Sequence, residues 1–420
     1  MKYFYHALSS LVYTRSLDFL RRLWLSPLPA DHERMLRSAQ GTYALYIHMP
    51  FCHKPLCPFC CFVRYPYRED LYYAYMSNLR MEVESLVSLA EGVRIAEVYI
   101  GGGTPTVNIH SLVDFIDYLR RLIGRGVKVS VEANPRDIDE ESAKMLRSVG
   151  VSRLSIGIQS FQKEKLWRIG RLNHSLEDSL RAIRSSIGVF DTLNIDVVWG
   201  IPGETLEQLG LDIEAALSLG VDQITFYPLM SPPRPGSKHS VYLHPEEYKM
   251  YKLILYMSMS KGYQPATPWC MTRGRGLIDE YVVDYNSFLA AGVSGIGRLP
   301  GYVYLNTFSP EKYISLVSRR GLSAIRGVKP KPSDQLLYDA LTTVFGLSYK
   351  PGLLPGHEPH RLLASLIDAS ISLGLISLGY IPSGQRWRMS PRSLYTLSVI
   401  QKSVYTAVNK LREWGLRTAA

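Results

Sequence analysis

Short apolar runs alternate with helical stretches along the first 230 residues of the chain. Six runs rich in β-branched and aromatic residues are typical of strands, at residues 43–48, 96–100, 127–132, 153–157, 192–198 and 223–228. Between them, apolar residues recur at helical spacing in 70–90, 112–122, 139–149, 176–187 and 206–219. Strands that alternate with helices predict a parallel sheet, so we expect an α/β fold with an incomplete (β/α)6, TIM-like barrel.

Two helix starts are marked by polar residues. Ser111 precedes the helix predicted over 112–122, and Asp114 follows three residues later, so Ser111 is the predicted N-cap. The helix over 139–149 is predicted to begin near Asp137. These caps place the loops before both helices at the carboxyl ends of strands, where ligands bind in barrels of this kind.

Composition divides the chain into four predicted segments. They are a leader (1–40), a barrel (41–236), an extension that closes the active site of the barrel (237–328) and a mostly helical module (329–420). In the leader, residues 8–25 predict a basic, imperfect amphipathic helix that Pro27 and Pro29 end. We favour a leader packed on the main domain; the alternative is peripheral contact with a membrane surface.

The C-terminal module is predicted to be mostly helical. Residues 375–389 are rich in Gly and Ser and predict a β-hairpin between helices, which is typical of a winged-helix-like module. Residues 362–381 are apolar but carry Asp368 and four serines, so they predict a core helix rather than a membrane span.

The charge balance is basic. The 420 residues include 48 Lys or Arg and 37 Asp or Glu, which gives a formal net charge of +11. An acidic substrate, a membrane surface or nucleic acid would suit such a charge. In the C-terminal module, basic residues interleaved with aromatics are confined to 386–388, so we expect no nucleic-acid partner. The first residues lack the pattern of a signal peptide, and we expect a cytoplasmic protein.

Four of the five cysteines lie within ten residues, directly after the first predicted strand. Three thiolates can hold three irons of a [4Fe–4S] cluster and leave the fourth iron open to a ligand. We assign them to Cys52, Cys57 and Cys60, because the last two have the Cys-x-x-Cys spacing that wraps backbone amides around a cluster. The alternative is a zinc site, which would need a fourth ligand such as Cys61, Cys270 or a histidine.

Motifs at the predicted strand ends give the chain a family resemblance. They are Cys52-x4-Cys57-x2-Cys60, Gly101-Gly102-Gly103-Thr104-Pro105, Glu132-Ala133-Asn134-Pro135, 155–161, Arg171-Leu172-Asn173-His174 and 194–203. In this order they resemble the oxygen-independent coproporphyrinogen III oxidase superfamily of radical S-adenosylmethionine (SAM) proteins, with its haem-chaperone and class C methyltransferase relatives. The family motif is Cys-x3-Cys-x2-Cys, so the first gap here is one residue longer. The resemblance implies a radical SAM barrel in which the cluster cleaves SAM to a 5′-deoxyadenosyl radical.

The resemblance also implies two SAM sites. Tyr46, Gly102 and Glu132 would contact the SAM on the cluster, and Ile296 is a further expected contact. The residues expected to line the second SAM site are Phe59, Gly103, Thr104, Gln159, Arg171 and Asp196. Carboxylates can accept hydrogen bonds from ribose hydroxyls, and arginine can hold a carboxylate with two bonds.

Three hypotheses about the reaction remain open at this point. The segments 267–273, 279–285 and 304–308 resemble the methyltransferase branch, so our main hypothesis is methyl transfer to an aromatic or quinone-like, menaquinone-type substrate. The alternatives are coproporphyrinogen III oxidation and a non-catalytic haem chaperone; no histidine is followed by Asn-Arg, which argues against the chaperone. Cys270 would be a hydrogen donor or a buried apolar residue. The partners expected are a small-molecule substrate and an electron donor such as ferredoxin or flavodoxin.

Overall fold

The structure is a computed structural model that describes residues 2–230, 241–274, 281–347, 381–383 and 386–419. Its strands, in chain order, are β1 (Gly41–Met49), β2 (Phe51–Cys52), β3 (Tyr65–Pro66), β4 (Val93–Gly102), β5 (Lys128–Ala133), β6 (Val151–Gln159), β7 (Thr192–Trp199), β8 (Gln223–Pro228), β9 (Gln264–Pro265), β10 (Cys270–Thr272), β11 (Phe288–Ala291), β12 (Ile296–Leu299), β13 (Tyr302–Asn306), β14 (Ala324–Val328), β15 (Ile381–Ser383) and β16 (Arg386–Arg388). Its helices are α1 (Lys2–Leu25), α2 (His32–Arg37), α3 (Glu69–Leu89), α4 (Ile109–Ile123), α5 (Glu140–Ser148), α6 (Lys163–Ile169), α7 (Leu176–Ser186), α8 (Leu206–Ser218), α9 (Glu247–Ser260), α10 (Tyr281–Asp284), α11 (Pro310–Arg320), α12 (Pro332–Phe345) and α13 (Pro391–Ala419).

The six predicted strands are parallel neighbours at the centre of one mixed sheet. Their order is β1-β4-β5-β6-β7-β8, with every adjacent pair parallel. The sheet continues on both sides, because β11 pairs with β1 and β10 with β8, and it ends at β14 and β9. The sheet is therefore open, and the incomplete α/β barrel is confirmed. All six strands end at the same edge, which collects the strand-end motifs.

The extension contributes strands to this sheet rather than forming a separate layer. Strand β11 is parallel to β1, while β12, β13 and β14 follow as antiparallel neighbours. Strands β9 and β10 pair antiparallel at the other edge, next to β8. The predicted end of the barrel, at 232–236, lies outside the described residues.

The predicted cap of α4 is wrong by one turn. A short 3-10 helix over Pro105–Asn108 precedes α4, and Asn108 Oδ1 accepts from the Ser111 backbone N–H at 3.2 Å. Ser111 lies inside the helix, because the 3-10 turn brings Asn108 to the position that caps it. The start of α5 is close to prediction: Asp139 caps it, two residues after Asp137.

The leader helix α1 starts earlier than predicted and packs along α13. Tyr5 meets Tyr395 edge to face with 4.7 Å between ring centroids. Leu23 is fully buried, and Arg326 Nε donates to the Trp24 carbonyl at 2.8 Å. The side chains that α1 leaves exposed include Tyr3, Phe4, Leu11 and Leu25. One face therefore packs on the protein, as we favoured, while the other is open to solvent.

The C-terminal module is described only in part. Strands β15 and β16 form an antiparallel pair inside the predicted hairpin over 375–389. The predicted core helix over 362–381 lies outside the described residues except for its last residue, so the winged-helix-like prediction is not tested there. Within the described ranges, no helix combines the length and the apolar character needed to span a bilayer.

Candidate functional site

The cysteines begin on β2, immediately after the central strand β1. Cys52 and Cys57 are buried, while Cys60 and Cys61 are half-buried. Cys270 lies apart from them, fully buried on β10, where it pairs with Thr225 of β8. The structure therefore gathers four cysteines in one loop at the strand-end edge and places the fifth on a strand.

Three hydrogen-bond donors from two other segments point at the sulfurs. Thr104 Oγ1 donates to Cys52 Sγ at 3.4 Å. Arg171 Nη1 donates to Cys57 Sγ at 3.2 Å, and Asn173 Nδ2 lies 3.7 Å from the same sulfur. Hydrogen bonds and positive charge at sulfur stabilise a thiolate and tune a cluster that it binds. The second strand-end motif and the 171–174 segment thus meet the cysteine loop.

Arg64 organises the cysteine loop from inside. Its Nη1 donates to the carbonyls of Cys60 at 3.0 Å and Phe62 at 3.1 Å, and its Nη2 donates to the carbonyl of Cys57. One guanidinium therefore fixes both ends of the Cys-x-x-Cys turn and adds a positive charge beneath it. No spacing rule in the sequence distinguishes Arg64 from a surface arginine.

Burial favours the protonated form of two of these thiols, Cys52 and Cys60. It raises the pKa of Cys52 and raises the pKa of Cys60 to about 12. Arg64 lowers both pKa values, but less than burial raises them. A bound metal centre deprotonates a coordinating thiol outright, so this donor set suits a cationic iron group better than free thiolates.

The glycines after β4 let the backbone touch the cysteine loop. Gly103 N–H donates to the Met49 carbonyl and Thr104 N–H donates to the Phe51 carbonyl, both at 2.8 Å. A Cβ on Gly103 would lie 2.8 Å from the carbonyl oxygens of Met49 and Phe51. Gly102 has φ +110°, where L side chains are strained, and a Cβ there would strike the His48 ring. The second motif therefore requires glycine for close approach.

Glu132 sits next to this glycine turn. Its carboxylate accepts from Tyr99 Oη at 2.8 Å and from the Gly102 N–H at 3.0 Å. Tyr46 stacks on Tyr99 with ring centroids 6.2 Å apart, and its hydroxyl meets His48 Nδ1 at 2.8 Å. Tyr46, Gly102 and Glu132, which we predicted to contact one SAM, are thus joined in one network.

Two of the six residues predicted for a second SAM site, Gln159 and Asp196, lie on β6 and β7. Ser155 Oγ donates to Asp196 at 3.2 Å, and Asn194 Nδ2 donates to the same carboxylate at 2.8 Å. Gln159 ends β6 with φ +73°, an uncommon conformation for a non-glycine residue. Arg171 Nη2 donates to the Gly157 carbonyl at 2.7 Å. This part of the edge connects to the cysteines through Arg171.

Two predicted residues have apolar rather than polar surroundings. Phe59 packs against the buried cluster that contains Leu166, Ile169 and Val198. Ile296 starts β12, after the turn that follows β11, and packs on the main core. Because β11 lies beside β1, with Ala290 opposite Tyr46, Ile296 is two strands away from β1.

The last helix reaches the cysteine loop through Arg412, a residue that the sequence did not single out. Arg412 Nη1 lies 3.4 Å from the Cys61 carbonyl, and its guanidinium stacks 4.5 Å above the Phe62 ring centroid. Nearer the start of α13, Lys402 pairs with Glu247 of α9 at 3.0 Å, and both side chains are buried. Helix α13 is therefore anchored on α9 and places the Arg412 cation over the cysteine loop.

The site contains buried donors that protein atoms do not satisfy. In the described part of the chain, Arg64 Nε, Arg171 Nε and Asn134 Nδ2 are buried without a hydrogen-bond partner. Buried polar atoms are normally paired, so leftover donors indicate a missing acceptor. Across the described residues, no three His, Cys, Asp or Glu side chains gather around the position of a single metal ion. Cysteines of a [4Fe–4S] cluster bind different irons and need a wider spacing, so the donor set fits a cluster.

Comparison with known proteins matches the part of the chain that carries these motifs to a family model. Residues 46–216, from Tyr46 through α8, match the family model described as the Radical SAM superfamily. The chain contains a radical SAM domain. The matched range includes the cysteine loop, the glycine turn, Glu132, Arg171 and Asp196.

Relatives of this radical SAM domain carry two names. The chain is 28% identical to heme chaperone HemW of Bacillus subtilis over 291 residues, covering 66% of this chain and 76% of that protein. It is 26% identical to oxygen-independent coproporphyrinogen III oxidase of Escherichia coli over 377 residues, covering 80% of this chain and 78% of that protein. The match to HemW of Escherichia coli is 30% identical but covers only 51% of that relative.

A solved structure shows that the fold likeness extends beyond the radical SAM domain. Coproporphyrinogen III oxidase (HemN) from Escherichia coli superposes with a TM-score of 0.70 at 20% identity, covering 90% of this chain and 93% of that one. The incomplete barrel and the helical C-terminal part are thus shared features of the fold. The resemblance inferred from the strand-end motifs is confirmed.

Proposed function

We propose that this protein is a radical SAM enzyme that oxidatively decarboxylates a tetrapyrrole substrate of the coproporphyrinogen type. The observation that carries the proposal is the loop of Cys52, Cys57 and Cys60, with Thr104, Arg171 and Asn173 as donors to its sulfurs. A [4Fe–4S] cluster held there would supply the electron that cleaves SAM to a 5′-deoxyadenosyl radical. The reaction class follows from the relatives, one of which spans 80% of this chain and is named coproporphyrinogen III oxidase.

The chain's own residues would bind and orient SAM beside the cysteine loop. Glu132 and the backbone at Gly102 would receive the first SAM, with Tyr46 packed behind them. Arg171 and Asp196 would bind a second SAM on the β6–β7 side. Two molecules per chain remain a proposal, which equilibrium binding tests: Asp196→Ala should remove one of two sites, whereas saturation of the unaltered protein at one SAM would refute it.

Methyl transfer to a quinone, our main hypothesis from the sequence, is not supported by the relatives. The proteins matched over most of this chain are named for tetrapyrrole chemistry, as a haem chaperone or a coproporphyrinogen oxidase. A tetrapyrrole with ionised propionates is an acidic substrate, which agrees with a chain of net charge +11. The segments 267–273 and 304–308, on which the methyltransferase hypothesis rested, lie on or beside β10 and β13 of the extended sheet.

Haem binding without catalysis is the second candidate. It is favoured by the match to HemW of Bacillus subtilis, which covers 76% of that protein. The absence of a His-Asn-Arg sequence argues against it. The two candidates differ in whether the tetrapyrrole is chemically changed.

One anaerobic assay separates these functions. The protein is reconstituted with iron and sulfide and given SAM and dithionite with coproporphyrinogen III, haem or a menaquinone-type quinone in separate reactions, and the products are identified by mass spectrometry. Loss of carboxyl groups supports the oxidase; SAM cleavage without change to the tetrapyrrole, together with stoichiometric haem binding, supports the chaperone. Transfer of a methyl group to a menaquinone-type substrate would restore the methyltransferase hypothesis. A ferredoxin or flavodoxin as reductant and the cytoplasm as working location are further parts of this proposal.

A further inference from the structure

One strip of surface lies directly above a cysteine sulfur. In the segment 171–173, the side chains of Arg171 and Asn173 turn inward to Cys57 Sγ, at 3.2 and 3.7 Å. Leu172, between them, is 56% exposed. A single layer of protein therefore separates Cys57 from solvent at this point, although Cys57 itself is buried.

Two cations lie near Leu172 because a half-buried hydrogen bond holds their segments together. His53 Nε2 meets Asp137 Oδ1 at 2.6 Å, and Thr106 Oγ1 donates to Asp137 Oδ2 at 2.9 Å. Lys54 and Arg136, the residues next to this pair, are exposed. They line a cavity of about 510 Å³ together with Leu172 and the start of α7, including the Asp178 carboxylate, which pairs with Arg181 at 2.6 Å. The concave surface beside Cys57 therefore carries two exposed cations and one carboxylate that is already paired.

A large aromatic side chain lies on the adjoining helix. Trp167 of α6 is 71% exposed. The helix ends at Gly170, where an added Cβ would lie 2.7 Å from Pro58 of the cysteine loop, so α6 abuts that loop. The exposed charged residues here are Lys54, Arg136, Lys163 and Arg168 against Glu164 and Glu177. Glu177 lies 4.0 Å from Lys163, so one of the two carboxylates is partly neutralised.

We propose that this surface, defined by Lys54, Arg136, Trp167 and Leu172, docks an acidic electron-transfer protein that reduces the cluster. The proposal rests on the proposed function, which needs one electron for each SAM cleaved. Electron transfer slows steeply with distance, so a donor must dock within short reach of a cluster ligand, and Cys57 lies one layer of side chains below this surface. The donor loses one electron, the cluster gains it, and no bond or proton is exchanged.

The composition of the surface suits a transient partner of that kind. Electron-transfer interfaces are small, and a cationic rim speeds the encounter with an anionic partner in a salt-dependent way. Aromatic residues are enriched at the centre of interfaces, where they add apolar contact area. Trp167 on α6 and Leu172 just after that helix, both exposed, provide such a centre, and the lysines and arginines provide the rim.

The test compares a protein donor with a small chemical one. Cluster reduction is followed by stopped-flow absorbance in the reconstituted full-length protein, with photoreduced flavodoxin or with dithionite. We expect Arg136→Glu and Trp167→Ala each to slow reduction by flavodoxin about tenfold at low ionic strength, while the dithionite rate changes less than twofold. The affinity for fluorescently labelled flavodoxin, measured by anisotropy, should fall by a similar factor in both variants. In 0.5 M salt, the unaltered protein and Arg136→Glu should bind flavodoxin with equal affinity. Arg319→Glu on α11 and Leu211→Ser on α8 are the matched controls, since both side chains are exposed elsewhere.

The reduction rates, the binding measurement and the SAM-cleavage control each have a result that would overturn a part of the proposal. Equal slowing with both reductants would mean that the variants disturb the cluster, and unchanged rates with both would mean that the donor docks elsewhere; either result overturns the docking surface. Failure of flavodoxin to bind the unaltered protein would overturn the choice of an acidic donor. If dithionite yields no SAM cleavage in the unaltered protein, the proposed function fails, and the docking inference fails with it.

Discussion

Two polar networks lie at the carboxyl end of β1, and they differ in how completely they are satisfied. In the first, Glu82 of α3 accepts from the Gly292 N–H, the Ser323 N–H and the Tyr313 hydroxyl, each at 2.8 Å. Tyr75 extends this network by donating to the His48 carbonyl at 2.8 Å. The second is the cysteine loop, which follows β1, with its donors.

We call the Glu82 network closed because each carboxylate oxygen has a protein donor, and we call the cysteine loop open because donors around it lack an acceptor among the described residues. Both carboxylate oxygens of Glu82 have protein partners, so this network joins α3, β11 and α11 without a ligand. Around the cysteines, Arg64 Nε and Arg171 Nε are buried without a partner among the described residues. A closed network serves the fold, and an excess of donors indicates a site for an acceptor-rich ligand.

The largest expected effect concerns iron. Replacing Cys57 by Ala should abolish cluster assembly, because one of three ligands and the sulfur that Arg171 and Asn173 hydrogen-bond are lost together. Iron content after anaerobic reconstitution should fall from about four per chain to near zero. Cys61→Ala is the matched control and should keep most of the iron; if it loses iron while Cys60→Ala keeps it, the ligand assignment is wrong.

Disrupting the closed Glu82 network should lower the stability of the fold rather than the iron content. Glu82→Ala should lower the free energy of unfolding by about 3–5 kcal/mol, because two backbone N–H groups and a hydroxyl lose their acceptor. Chemical denaturation measures this, and iron per folded chain should not change. Glu84→Ala on the exposed side of the same helix should cost less than about 1 kcal/mol. An equal loss in both variants would contradict a special role for the network.

His48 lies between the two networks and predicts a pH dependence. Burial lowers the pKa of His48 to about 4, against 6.5 in the unfolded chain. Between these values the unfolded state binds more protons, so the free energy of unfolding should fall as the pH drops from 6.5 to 4, by about 3 kcal/mol. His48→Gln should flatten that slope without removing it, because burial also lowers the pKa of His32 to about 4. An unchanged slope in His48→Gln would refute the assignment.

The smallest expected effect tests one donor to sulfur. Thr104→Val keeps the shape of the side chain but removes the hydroxyl that lies 3.4 Å from Cys52 Sγ. Loss of one weak hydrogen bond, worth about 1 kcal/mol, should shift the cluster potential by at most roughly 40 mV to more negative values, because the bond is stronger to the more negatively charged, reduced cluster. A redox titration followed by electron paramagnetic resonance measures the shift. Thr104→Ser should behave like the unaltered protein; a shift of equal size there would mean that packing, not the hydroxyl, matters.

The barrel could be predicted because its signals are local. Strand β8 has the bounds predicted for it. The cysteines, the glycines and Glu132 each lie at or just after the end of a strand whose apolar run is visible in the sequence. Ser111 was a wrong cap because the 3-10 turn before α4 leaves no pattern in apolar positions. Helix α6 was missed because Lys165 is buried there through ion pairs with Glu204 and Asp212, which interrupts its apolar period.

The parts of the site that could not be predicted come from distant segments. Arg412 reaches the Cys61 carbonyl across more than 300 residues of chain, and no local pattern foretells such a contact. Asn173 belongs to a motif that is visible in the sequence, but its position beside the Cys57 sulfur depends on how the loop after α6 packs. The α1–α13 pairing is of the same type, since it joins the leader to the far end of the described chain.

The position of α13 has a consequence for the order of biosynthesis. A ribosome makes the cysteine loop and all six parallel strands before residues 391–419, and at about 5–20 residues per second the interval is on the order of ten seconds. During that time the loop lacks the cover that Arg412 later provides over Phe62. Iron and sulfide delivered to the nascent chain would therefore meet an open loop, and the completed helix would close over a site that is already loaded.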